Sequence, residues 1–171
     1  GRSEPSLHSY LVDCFLHRAG PTGIPVLVTV DSPATVERLS TLAERHAKVR
    51  FVALFEGGAD PLSLLRVART RSNVSLAVCD LWRIAPHTAR EVLRVWLYGV
   101  PLNKVFAVAG GTTMVEGTCA QAMWVREQLA ELLAEMVAGG DLDEKDAILA
   151  VERLLYKNAC EFFALPFPEA R

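Results

Sequence analysis

No CxxC pair, no basic run, no apolar run longer than a strand and no GxGxxG fingerprint occurs in this 171-residue chain. Each absence closes a class. Four cysteines, Cys14, Cys79, Cys119 and Cys160, stand far apart in sequence, which argues against a zinc site or a disulfide framework. Free thiols in a reducing cytoplasm are the expectation. The 18 lysines and arginines are scattered and the net charge is -2, so neither nucleic acid nor an anionic membrane is expected as partner. The apolar runs are too short for a transmembrane helix. The opening residues, GRSEPSLHSY, lack the hydrophobic centre of a signal peptide. No low-complexity segment or long linker interrupts the chain. At 51% hydrophobic residues, 171 positions suffice for one domain with a real core.

What is present is an alternation. GIPVLVTVD (23–31) is a β-branched apolar run and reads as a buried strand. Residues 32–47 follow as a helix, with Ser32 at the N-cap, Pro33 in the first turn, and Val36, Leu39 and Leu42–Ala43 on one face. RFVALFEGG (50–58) reads as a strand and 60–71 as a helix capped by Asp60. NVSLAVCDLW (73–82) is a strand, 86–100 a helix from Pro86, and KVFAVAGG (104–111) a strand. A helix over about 116–138 carries Met123, Leu129, Leu132–Leu133 and Met136 and stops at Gly139–Gly140. Another, about 143–164, carries Ile148, Val151, Leu154–Leu155 and Phe162, with Asp141 or Asp143 as its cap. Residues 6–20 are helical before the first strand.

Strands buried on both faces and separated by helices mean a parallel sheet. Strand starts fall 23 to 31 residues apart, the rhythm of a (βα) barrel or a doubly wound sheet. Without the fingerprint after the first strand, the dinucleotide-binding form of the latter loses its support. A full barrel needs about 250 residues, and four units are half of one. The expected fold is therefore α/β: a (βα)4 half barrel with parallel strands and flanking N- and C-terminal helices. It divides into 1–22 (helical), 23–115 (four βα units) and 116–171 (C-terminal helices), all one domain.

VPLNKVFAVAGGTTMVEG (100–117), REQLAELLAEMVAGGDLDEKDAILAVERLLYKNACEFFAL (126–165), FEGG (55–58) and SNVSL (72–76) occur in an order that resembles the C-terminal half of the TIM-barrel amidohydrolases. These are metal-dependent hydrolases, and the likeness is to their uronate-isomerase-like and decarboxylase-like branch. It spans about 6 to 165. The resemblance implies metal-binding histidines at two strand ends and an aspartate at a third. Matched residue by residue, these fall on Thr29, on Glu56, and on Gly111 or Thr112. A further strand aspartate falls on Ala77. The family's chemistry uses a divalent metal to acidify water and polarise a carbonyl, and zinc takes imidazole, thiolate or carboxylate ligands. Threonine and glycine do not replace these. His8, His17, His46 and His87 lie before the first strand or on helices and read as surface or helix-end residues.

Asp31, Glu56 and Asp80 lie at or near C-terminal strand ends, where parallel α/β folds place their chemistry. They could rebuild a site for Mg or Mn, or act as an acid/base pair. The alternative is that Asp31 and Asp80 cap the turns that follow and Glu56 is solvated. Trp82, just past a strand end, is a candidate pocket residue, whereas Trp96 and Trp124 read as packing residues. Glu116 matches the family's VEG, and a helix-start carboxylate explains it equally. A catalytic thiol at Cys79 is a remote option.

The expected function is thus an amidohydrolase-like module that has lost its metal and binds a small-molecule ligand or serves structurally. The alternative is an active hydrolase, lyase or isomerase with a rebuilt carboxylate site. No cofactor is expected, and a divalent metal (Zn, Mg or Mn) enters only with that rebuilt site. A half barrel exposes sheet edges, so the expected partner is a second copy of the chain or a complementary half barrel that its residues help to complete.

Overall fold

A computed structural model describes residues 7–110 and 112–167. Four strands, β1 (Val26–Val30), β2 (Phe51–Phe55), β3 (Val74–Val78) and β4 (Val105–Phe106), lie side by side in sequence order and run parallel. A doubly wound sheet reverses its strand order at a switch point. This sheet does not, and it forms the half barrel of a (βα) fold. The helices are α1 (Leu7–Thr22), α2 (Pro33–Arg45), α3 (Pro61–Thr70), α4 (Leu81–Ile84), α5 (Pro86–Gly99) and α6 (Val115–Ala138). After them come α7 (Glu144–Glu152) and α8 (Asn158–Phe163), joined by a π-helical turn, Arg153–Lys157.

Local chemistry sets the helix starts. The Ser32 hydroxyl accepts from the Thr35 amide at 3.4 Å. The Asp60 carboxylate accepts from the amides of Leu62 and Ser63 at 3.2 and 3.0 Å, and Asp143 from Asp146 at 2.7 Å. Each satisfies amides that the first helical turn leaves without partners. Pro33, Pro61 and Pro86 open α2, α3 and α5, where a missing N–H costs nothing.

The strand period of two sorts the sheet into faces. Val30, Phe51, Phe55, Val74, Leu76, Val78 and Val105 look toward the helical layer. There they meet Leu39, Leu64, Leu93, Trp96, Leu129 and Leu132 in one core. The opposite face carries Leu27, Thr29, Val52, Leu54, Ser75, Ala77 and Phe106. Part of it is covered: Val52, Leu54, Ala77, Phe106 and Ala109 pack with Ala159, Phe162 and Phe163. The Phe106 and Phe162 rings meet edge to face at 5.5 Å. Arg50, just before β2, locks this plug. Its guanidinium lies 5.0 Å from the Phe162 ring centre and donates to the Phe162 and Gly23 carbonyls at 2.7 and 2.6 Å. So α8 covers the β2–β4 part of this face, while Leu27 and Thr29 of β1 stay exposed.

The structure departs from the periodicity in five places. β4, expected over 104–111, pairs only at Val105–Phe106. β3 ends at Val78, and Trp82 sits in α4. α1 runs past Gly20 to Thr22. The C-terminal helix is broken by the π-turn, a widened register in which a carbonyl can turn outward; the Leu154 carbonyl accepts the Ala107 amide at 3.1 Å. Met123 and Ile148, expected on buried stripes, are 63% and 60% exposed. Their helices have core on one side and no neighbour over these residues.

Candidate functional site at the strand ends

Glu56 follows β2 directly, and its amide donates to the Val30 carbonyl at 3.3 Å. Gly57 and Gly58 then turn the chain with φ of +100° and +78°, values that L side chains resist. Gly58 passes so close to Asp31 that an added Cβ would stand 2.1 Å from the Asp31 carbonyl oxygen. The double glycine thus lets the β2 turn lie against the β1 turn. Asp31 itself is exposed, and its carboxylate accepts the Thr35 hydroxyl at 3.2 Å, a local turn contact. Thr29 is exposed on the open face.

After β3, Cys79 is buried and its thiol donates to the Ala109 carbonyl at 3.1 Å. Burial pushes its pKa up, and the negative charges of Asp80 and Glu56 add to the effect. The backbone hydrogen bond at Asp80 opposes this rise, and on balance the thiolate that nucleophilic attack needs is disfavoured. Asp80 begins α4 without capping it by side chain, and one carboxylate oxygen pairs with Arg83 at 3.2 Å. The other is buried with no hydrogen-bond partner. Among the described residues no three of the His, Cys, Asp and Glu side chains come together as a group able to hold a metal ion. Asp31, Glu56 and Asp80 share an end of the sheet without forming, among the described residues, a three-ligand metal group. Ala77, fully buried in β3, has no donor, and Gly111 lies outside the described residues.

Two other candidates do come together. Trp82 and Thr112 line one depression of about 440 Å³, with Arg83, Pro86, Gln121 and Trp124. Trp82 is its floor, 2% exposed, with its indole N–H on the Ala107 carbonyl at 2.6 Å. Thr112 and Thr118 share a hydroxyl hydrogen bond at 2.5 Å on its rim. The Gln121 amide nitrogen is buried there without a partner. Trp124, expected to pack, is 44% exposed and forms a wall. Sequence reading missed Gln121 and Trp124; their spacing of three puts both on one face of α6, which was the available signal. Trp96 does pack, fully buried, with its N–H on the Pro61 carbonyl at 3.2 Å. Glu116 is exposed in the first turn of α6, outside the depression. His46 caps the end of α2 and meets Asp13 at 2.9 Å, and His87 is exposed on α5. A larger hollow of about 690 Å³ lies between α1 and α2, and no strand-end residue lines it.

No family profile and no curated protein sequence matches the chain. Solved structures do resemble it, among them the following two. One is a uronate isomerase from Bacillus halodurans, with a TM-score of 0.76 and 16% identity over 95% of this chain and 44% of that one. The other is a Lactobacillus casei protein assigned as a metal-dependent hydrolase, with a TM-score of 0.63 and 11% identity over 91% of this chain and 44% of that one. At such identities the likeness is one of fold. The chain spans less than half the length of either. Among the described residues no helix is long and apolar enough to cross a membrane.

Proposed function

We propose that this chain is the C-terminal half of a barrel of the metal-dependent-hydrolase type, that it holds no metal of its own, and that it works by binding a small molecule at the strand ends. The carrying observation is the donor set. The positions that the resemblance assigns to metal ligands bear Thr29, Glu56, Ala77 and Gly111 or Thr112, and the described residues offer no three-ligand group. A single carboxylate beside a threonine neither retains zinc nor generates a metal-bound hydroxide. Trp82, Thr112 and Trp124 supply instead an apolar surface with few polar groups, the usual make-up of a small-molecule site. The four cysteines, none in a disulfide, accord with a cytoplasmic protein.

A second reading rests on the unpartnered oxygen of Asp80. A buried carboxylate oxygen without a donor is costly, and a rebuilt acid/base or metal site using Asp80 with Glu56 would give it a role. Metal analysis separates the two. After dialysis against Zn²⁺, Mg²⁺ or Mn²⁺ and removal of free ion, the binding-module reading expects less than stoichiometric metal, unchanged by Glu56→Ala or Asp80→Asn. One bound equivalent that either variant abolishes would establish the rebuilt site.

A further inference from the structure

We propose that the depression walled by Trp124 takes a planar ring bearing a carboxylate or carboxamide on its edge, laid flat on that indole with the edge oxygen held by Gln121 and Arg83. This rests on the small-molecule reading above and adds the kind of molecule.

The first argument is shape. Trp82 is a fixed floor, 2% exposed, with its N–H on the Ala107 carbonyl. Trp124 is a wall, 44% exposed, and among the described residues no ring or guanidinium stacks on it. Gly117 and Ala120 share the α6 face with Gln121 and Trp124 and add little bulk to it. An open indole face in a hollow of about 440 Å³ suits one small flat ring.

The second argument is charge. Arg83 is the one charged residue that lines the hollow, and no acid does. Its side chain is 59% exposed and spends one nitrogen on Asp80 at 3.2 Å. A guanidinium carries several N–H donors and no acceptor, so donors remain for an oxygen of the ligand. A cationic ligand finds like charge instead.

The third argument is the amide of Gln121. Its nitrogen is buried without a hydrogen-bond partner among the described residues. An unpaired buried donor is costly. Turning the amide toward an acceptor in the hollow that Gln121 lines recovers that cost, and a bare hydrocarbon ring does not. Asp31, Glu56 and Asp80 do not line this hollow, so the site is separate from the carboxylate centre of the second reading.

Titration of the full-length protein with benzoate, benzamide, toluene, benzamidine and cyclohexanecarboxylate tests this. Trp124 emission and the NMR resonance of the Gln121 side-chain amide report on the site. Benzoate or benzamide should bind on the order of 10-fold more tightly than the other probes, the worth of one hydrogen bond or one stacked ring. Either order between the two supports the proposal, benzoate first marking a ring acid and benzamide first a ring amide. Trp124→Ala and Gln121→Leu should each weaken the preferred probe on the order of 10-fold. Gln121→Glu keeps the shape, replaces the donor by a negative acceptor, and should move the preference to benzamidine. A glutamine with only a structural role would not produce that reversal. Equal or tighter binding of toluene, benzamidine or cyclohexanecarboxylate by the wild type at this site would overturn the ring-and-oxygen class and leave the small-molecule reading standing. Unmoved Trp124 and Gln121 signals with every probe would overturn both.

Discussion

Gly58 and the carbonyl of Asp31 are in such close approach that even a methyl group would not fit between them. This contact joins the turns after β1 and β2 and sets where Glu56 stands. The two glycines differ in what holds them. At Gly57 an added Cβ would meet only Leu81 Cδ1 at 3.6 Å, an ordinary contact, so strain comes from φ alone. At Gly58 the same kind of strain is joined by a backbone collision. Gly57→Ala should cost about 1–2 kcal/mol, the left-handed penalty. Gly58→Ala should cost more, about 3 kcal/mol or above. Denaturant titration of both variants checks the order, and equal losses would show that the turns move apart freely.

The two tryptophans of the depression should separate stability from surface. Trp82→Phe keeps one aromatic ring, strands the buried Ala107 carbonyl and leaves some buried space, a loss of about 1–3 kcal/mol. Trp124→Ala removes a half-exposed wall and should cost about 1 kcal/mol. In single-tryptophan variants, acrylamide should quench Trp124 emission readily and Trp82 emission little. Similar quenching of both would contradict a closed floor under an open wall.

Asp13 gives a pH dependence with a definite sign. The hydrogen bond from His46, then Arg45, holds its carboxyl below the usual range. A carboxyl depressed in the folded state contributes stability above its unfolded value, near 3.9. That contribution disappears as pH falls through the lower folded value. Asp13→Asn should therefore loosen α1 at neutral pH, and its difference from the wild type should vanish under acid. Hydrogen exchange over α1 from neutral pH down to about 2, well below the usual carboxylate range, reads this directly. A difference that persists in acid would show that the ion pair is not what holds α1 to α2. The group is solvent-facing, so the effect should shrink in salt.

Much of this was legible from residue types. Ser32, Asp60 and Asp143 cap helices because their short oxygens reach free amides, a choice made within four residues. The parallel sheet followed from apolar strands alternating with helices. The resemblance gave the half-barrel fold that the coordinates and the two solved structures share. Where the reading failed, the cause lay outside the window. Met123 and Trp124 sit on a helix whose periodicity is real, but period alone does not say whether a second layer covers that face. The fate of Trp82 depended on where β3 ended, and that on the Ala107 carbonyl, 25 positions away.

The sequence by itself determined the alternation of the main strands and helices, where α2, α3, α5 and α7 begin, and that the strands run parallel. These are short-range consequences of caps, prolines and side-chain period. Only the tertiary structure decided that Asp31, Glu56 and Asp80 form no three-ligand metal group while Trp82, Thr112 and Trp124 line one depression. It alone decided that the Val105 carbonyl and the Ala107 amide find partners in the C-terminal segment. Asn158 reaches Val105 across 53 residues, and the π-turn brings Leu154 to Ala107. Such contacts form when separate elements pack, and no local pattern of residues encodes them.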